Sequence, residues 1–197
     1  MRKHRLHRVF EPQSVALVGA SDSRLSVGGQ ILGQLLESDF QGELYPINPR
    51  HESIGGLRCY ASVAAVKQSI DLVVIAIPAP AIATVMHECG ASGVGAVVII
   101  AAGFGETGPR GQHLQDEIVA IARSYNIALV GPNCLGVIRP SVGLNASFAR
   151  SKVAAGHVAM VAQSGAFCSA LLDWGDARGF GFAAVASLGA AADVDFG

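Results

Sequence analysis

The chain has 197 residues, 51% of them hydrophobic, and a formal net charge of −1. That length can bury one full core and part of a second. A charge near zero, with no basic stripe through the body of the chain, argues against a nucleic-acid partner.

Arg2, Lys3, Arg5 and Arg8 make a basic arm of residues 1–9, readable as a solvated tail or as a binding tail. Phe10-Glu11-Pro12 follows where a secretory signal would turn apolar. The first strand is expected over residues 14–18, ending at Gly19. A helix begins near Ser26 and carries Val27, Ile31, Leu32, Leu35 and Leu36 at helical spacing. The turn between them has no G-x-G-x-x-G, because the glycines after Gly19 are Gly28 and Gly29. In its place stand Ser21, Asp22, Ser23 and Arg24, hydroxyls and a cation before a helix start, a composition suited to an anion. A plain tight turn capped by Ser26 is the alternative.

Residues 44–47 make a second strand, stopped by Asn48-Pro49-Arg50-His51. A domain that binds NAD usually carries Asp or Glu here for the ribose hydroxyl. An amide followed by basic groups suits a phosphorylated ribose, as in NADP or coenzyme A, with an ordinary polar loop as the alternative. A small helix is expected around residues 61–68. The strand at residues 72–77 is apolar on both faces. Ile77-Pro78-Ala79-Pro80 then offers an uncharged ledge, and Pro80 suits the first turn of a helix in which Ile82, Val85, Met86 and Cys89 share a side. After the strand at 96–101, Ala101-Ala102-Gly103-Phe104 permits close backbone approach. A helix with Leu114, Ile118, Ile121 and Ala122 leads to a fifth strand at 127–130 and to Gly131-Pro132-Asn133-Cys134. The apolar run at 96–102 is too short for a membrane span, so no membrane partner is expected.

Continuously apolar strands alternating with helices imply a parallel sheet covered on both faces. The reading is an α/β, Rossmann-type doubly wound domain over residues 10–145, with its ligand at the carboxyl ends of the strands. A connector over residues 135–156 leads to a strand at 158–161, the turn Gln163-Ser164-Gly165, a helix at 166–177 and a strand at 182–187. Residues 146–197 are read as the truncated start of a second α/β domain. Gln163-Ser164-Gly165 repeats the strand-turn-helix logic of an anion site. Ser164 lies in Ala-Gln-Ser-Gly-Ala, which is no G-x-S-x-G elbow. Cys134 is read as a nucleophile or as a small packed thiol, with no histidine at a recognisable spacing. Cys59, Cys89, Cys134 and Cys168 are widely spaced, and His113 and His157 lack partners in a ligand pattern, so no metal site and no disulfide framework is expected. Reduced thiols and a cytoplasmic location follow as the default.

With these motifs in order, "FEPQSVALVGAS", "YPINPRHESIGGLRCYASV", "DLVVIAIPAPAI", "VVIIAAGFGETG", "LVGPNCLGVIRP", "GLNASFA", "VAQSGAFCSALLDW" and "SLGAAADVDFG" resemble the N-terminal part of the NDP-forming acyl-CoA synthetases. The α subunit of succinyl-CoA synthetase is a relative in that family. The resemblance implies a CoA-binding Rossmann-type domain followed by a flavodoxin-like one. It puts CoA phosphates at Ser21–Arg24 and Pro49–His51, and the rest of CoA along Ile77–Pro80 and Ala101–Phe104. It makes the helix start at Gln163-Ser164-Gly165 a stabiliser of a phosphohistidine that lies beyond residue 197. ADP or ATP, with Mg, and an ATP-grasp region would come from elsewhere in the protein or from a partner subunit. The full-length form is expected to be an oligomer, and the chain by itself to bind CoA without turnover. "GLNASFA", "LDWGDARGFGF" and "SLGAAADVDFG" look closest to a branch fused to GNAT lysine acetyltransferases, in which the region would sense acyl-CoA; Ala190-Ala191-Ala192 departs from the commoner acidic residue there. An NADP-dependent oxidoreductase is the third alternative, with no catalytic acid or base in evidence.

Overall fold

The computed structural model describes residues 6–196. Residues 1–5 of the basic arm lie outside them. The rest of the arm is packed: His7–Phe10 form a short helix, α1, with Val9 buried, and Arg8 Nε lies 3.6 Å from Asp71 Oδ1.

The elements that follow are β1 (Ser14–Val18), α2 (Val27–Glu37), β2 (Glu43–Ile47), a hairpin of β3 (Ser53–Ile54) and β4 (Leu57–Arg58), β5 (Leu72–Ile75), α3 (Ile82–Ala91), β6 (Ala96–Ile99), α4 (Pro109–Ser124) and β7 (Ala128–Val130). Five of the strands form a parallel sheet in the order β2-β1-β5-β6-β7. Taking parallel strands in chain order, this is 2-1-3-4-5, a doubly wound order whose direction of winding switches between β1 and β5. The small helix expected at 61–68 is only a 3₁₀ turn, Val63–Ala65, with extended residues on both sides.

β5 and β6 are buried on both faces, and side chains two apart share a face. Val73, Ile75, Val97, Ile99 and Leu129 face Ile82, Met86, Cys89, Ile118 and Ile121 of α3 and α4. On the opposite face Leu72, Val74, Val98 and Val130 meet Ile31, Leu32 and Leu35 of α2. Each fully buried Val, Leu or Ile contributes about 1.5–3 kcal/mol of transfer free energy, which outweighs the short length of the strands.

The connector expected over residues 135–156 is instead an antiparallel hairpin, β8 (Gly136–Arg139) and β9 (Leu144–Ser147). With β10 (Ala155–Ala162) and β11 (Phe182–Ser187) it makes a mixed sheet in the order β10-β11-β8-β9. The expected break at 145/146 therefore falls inside a strand, and residues 136–147 go with the second sheet. Val137, Leu144, Ala146, Ala186 and Leu188 of that sheet complete the α2-side core, so one face of the first sheet is covered partly by a second sheet rather than by helices alone. Helix α5 (Gly165–Arg178) covers the far face of the second sheet through Cys168 and Leu172.

Candidate functional site

The carboxyl ends of β1, β2 and β5 open on a cleft of about 420 Å³. Gly19 begins its floor with φ +89°, and a Cβ there would stand 2.6 Å from Ala76 O. Gly28 and Gly29 allow the first turn of α2 to lie directly on the turn before it: a Cβ on Gly28 would overlap Gly19 O, and one on Gly29 would overlap Ser23 O. The long spacer therefore does with a glycine pair inside the helix what a dinucleotide loop does with its middle glycine. Ser26 Oγ accepts the Gly29 N–H at 3.1 Å and donates to Ser23 O at 2.8 Å. This capped helix start is of the kind that meets anions.

Three side chains of the Ser21–Arg24 turn are engaged within the protein. Ser21 Oγ accepts the Ser23 N–H at 3.0 Å, and Asp22 accepts the Gly55 N–H at 2.8 Å, tying the turn to the β3–β4 hairpin. The Arg24 guanidinium lies over Gly33 and pairs with Glu37 at 2.6 Å. Asp22 and Arg24 are thus braces of the turn.

At the end of β2, Asn48 uses both ends of its amide internally: Nδ2 donates to Ala20 O at 2.9 Å, and Oδ1 accepts the Arg50 N–H at 3.0 Å. Arg50 and His51 are exposed, and their side chains make no hydrogen bond or ion pair among the described residues. Arg58 packs on the Tyr60 ring, 5.1 Å from its centroid, whereas Arg50 and His51 of the Pro49–His51 loop keep their side chains unpaired. Cys59 behind that loop is buried; burial pushes its thiol up, and Sγ donates to Asn48 O at 3.5 Å.

Of the residues singled out in the sequence, Gly19, Pro49, Arg50, Ile77 and Pro78 line the cleft. Ala79 is buried, Pro80 is exposed, and neither lines the cleft. Ser62, Val63, Ala81, Val85 and Glu88 also line it, and sequence reasoning missed them as site residues. The spacing of Ala81, Val85 and Glu88, one helical face, was the available signal.

A second cavity, about 470 Å³, lies where the ends of β6 and β7 meet the start of α5. Asn133, Gln163, Ser164 and Gly165 line it together with Glu106, Gln112 and Gln115. Ser164 caps α5 by accepting the Phe167 N–H at 3.2 Å. The Glu106 carboxylate accepts the N–H groups of Gly103 at 2.5 Å and Phe104 at 3.2 Å. Burial opposes its ionisation, but these backbone donors prevail and hold its carboxyl below the usual value. Ala101, Ala102 and Gly103 lie on the strand edge next to this loop without lining either cavity. Two expected residues are corrected. The Phe104 side chain is 0% exposed in the main core. Cys134 is 3% exposed, its Sγ donates to Ile99 O at 3.3 Å, and burial pushes its thiol to about 12, so it is a packed cysteine without access to a ligand. Among the described residues no three His, Cys, Asp or Glu gather where a metal could bind, and no helix is long and apolar enough to cross a membrane.

The family model of the CoA binding domain matches residues 13–140, which takes in all three strand ends of the first cleft. The chain belongs to the CoA-binding domain family. A model of the succinyl-CoA ligase like flavodoxin domain matches residues 155–197. This CoA-binding protein is 40% identical over 190 residues to an ADP-forming acetate–CoA ligase of Archaeoglobus fulgidus, covering 96% of this chain and 27% of that one. It is 42% identical over 193 residues to the corresponding ligase of Methanocaldococcus jannaschii, again 27% of that chain. With the α subunit of ligase I from Pyrococcus furiosus it shares 38% identity and covers 42% of the subunit. The chain thus spans about a quarter of the fused relatives and two-fifths of the separate subunit. In three dimensions it superposes on the Ca. Korarchaeum cryptofilum dinucleotide forming acetyl-coenzyme A synthetase 1, a complex with phosphate and ADP, with a TM-score of 0.93 and 38% identity over 97% of this chain and 41% of that one. These relatives are ligases, and they lend no support to the branch fused to acetyltransferases.

Proposed function

We propose that this chain is the CoA-binding part of an ADP-forming acyl-CoA ligase, whose full reaction is acyl-CoA + ADP + phosphate ⇌ carboxylic acid + CoA + ATP. The carrying observation is the pair of unpaired basic side chains, Arg50 and His51, where an NAD domain needs an acid. With Asn48 committed to Ala20 and to the loop backbone, no side chain of the Asn48–His51 loop accepts from a free ribose, whereas a phosphate on the ribose finds two donors.

The capped start of α2 suits the diphosphate, and the apolar wall of Ile77, Pro78 and Val85 suits the base. The pantetheine arm would then cross the strand ends of β5 and β6 towards the second cavity. That cavity has a helix start and carboxamides but no cation among its lining residues, which fits a thiol end meeting an acyl or phosphoryl group carried by another part of the protein. The phosphorylated histidine, the ATP-grasp region and the sites for ADP and Mg belong to the other parts, in the same polypeptide or in a partner subunit. On this reading the protein works in the cytoplasm, and residues 6–196 bind CoA without turnover.

Calorimetric titration of the chain with CoA, dephospho-CoA and NADP tests the reading. Replacing Arg50 and His51 together by Ala should weaken CoA by about 10- to 100-fold, the scale of charge-assisted hydrogen bonds. Dephospho-CoA should change little. Binding of NADP in preference to CoA, or equal losses for the two CoA forms, would overturn it.

A further inference from the structure

Glu88 is a charged group of the first cleft that the contacts above leave without a task. It stands on the same helical face as Ala81 and Val85 and lines the cleft together with Pro49 and Arg50. One oxygen, Oε2, accepts the Val63 N–H at 3.2 Å, which fixes the side chain. The other oxygen has no hydrogen-bond partner among the described residues; Val63, Ile77, Pro78, Ala81 and Val85 line the same cleft, whose polar side chains besides Glu88 are Asn48, Arg50 and Ser62. Glu88 is part-buried, so water serves that oxygen in the open cleft, and a ligand that displaces the water has to bring a donor of its own or bind at a cost.

The donor can be identified by elimination. Phosphates and carbonyl groups are acceptors, and a carboxylate repels them. The sugar lies with its phosphate at the Arg50 wall. A flat base between these apolar side chains keeps one group able to donate to Glu88, an exocyclic amine. We propose that Glu88 is the base-specificity residue of the cleft, accepting a hydrogen bond from the amino group of adenine and rejecting hypoxanthine, which carries a carbonyl oxygen at that position. This inference rests on the nucleotide reading of the cleft given above. A site built to accept from an amine at this ring position discriminates, because in the same pose hypoxanthine sets its carbonyl oxygen against the carboxylate and can offer its neighbouring N1–H only by shifting in the cleft.

The test is calorimetric titration of the full chain with adenosine 3′,5′-bisphosphate and its inosine counterpart. The unaltered chain should prefer the adenine form by about 10- to 100-fold. In Glu88→Gln the amide oxygen can keep the Val63 N–H while its NH₂ faces the base, so the preference should vanish or reverse towards inosine. Taking a ratio cancels any general loss of stability in the variant. Equal affinities in the unaltered chain, or an unchanged ratio in Glu88→Gln, would overturn the inference while leaving CoA binding intact. Binding of neither bisphosphate nor CoA would instead remove the nucleotide reading, and this inference with it.

Discussion

Single residues decide where this chain can close upon itself, and two of them show opposite solutions. Gly19 adopts φ +89° against the Ala76 carbonyl, a position a side chain cannot take. Ala191 adopts φ +48° with a methyl group in place, in the turn after β11 where its N–H donates to Leu188 O at 2.9 Å. The left-handed region costs a non-glycine residue roughly 1–2 kcal/mol, whereas glycine pays about 0.5–1 kcal/mol in chain entropy. Ala191→Gly should therefore stabilise the fold by about 0.5–1 kcal/mol, and Ala191→Val should destabilise it. Urea denaturation midpoints measure both, and a loss in the glycine variant would contradict the argument. At this scale Arg50 and His51 were legible in the sequence, because their meaning depends on chemistry at the end of a recognisable strand. Asp22 and Arg24 were not, because Gly55 and Glu37, which engage them, lie 33 and 13 residues away in the chain.

At the scale of elements, the start of α2 combines two roles that can be separated. Ser26 caps the helix, and the same helix start is proposed to face the CoA diphosphate. Ser26→Ala should cost about 1 kcal/mol of stability. Ser26→Asp should keep the cap and the stability yet weaken CoA, since a carboxylate then stands beside the phosphates. Thermal melts in parallel with CoA titrations read the two effects; tight CoA binding by the Asp variant would show that the diphosphate lies elsewhere. The strands β1, β5, β6 and β7 were readable because burial on both faces writes an apolar run, and β2, which starts at the exposed Glu43, was readable from the Asn48-Pro49 stop at its end. The hairpin β8–β9 was not readable. Asn145 and Ser147 are buried there, Asn145 satisfied by Gln34 of α2 and Ser147 by Asn145 on the same strand, which an apolar pattern does not reveal. The 3₁₀ turn at Val63–Ala65 similarly depends on Glu88, which supplies an acceptor for Val63 N–H from another helix.

At the scale of the whole molecule, the two sheets are joined by a polar chain and by a returning segment. Asn145 Nδ2 donates to Gln34 Oε1 at 2.9 Å, Ser147 Oγ donates to Asn145 Oδ1 at 2.6 Å, and Gln34 Nε2 donates to Ala149 O at 2.8 Å. Beyond β11 the backbone N–H groups of Ala190, Ala192 and Val194 donate to Pro132, Gly131 and Leu129, so the edge of β7 is covered. Asn145→Ala would take the acceptor from the fully buried Ser147 hydroxyl and a partner from the part-buried Gln34 Oε1, and should cost about 1–3 kcal/mol, against the few tenths expected at an exposed site. Because both sheets share one core, unfolding should stay a single transition in this variant, by fluorescence of Trp174 on the second-sheet helix and by circular dichroism of the whole chain. Two separated transitions would show that the sheets are independent.

The sequence by itself determined the α/β class, the order of the parallel strands along the chain, the Asn48–His51 loop with its implied phosphate, and membership of a CoA-binding family. Those features are local: an apolar run, a helix start, a basic loop after a strand. Only the tertiary structure decided that the hairpin 136–147 joins the second sheet, that Cys134 and Phe104 are core, and that Glu88 faces the cleft. Each of these depends on which side of an element is pressed against the core. For α3 that choice was made by Ile82, Met86 and Cys89 packing on the sheet, which turns Val85 and Glu88 to the ligand side.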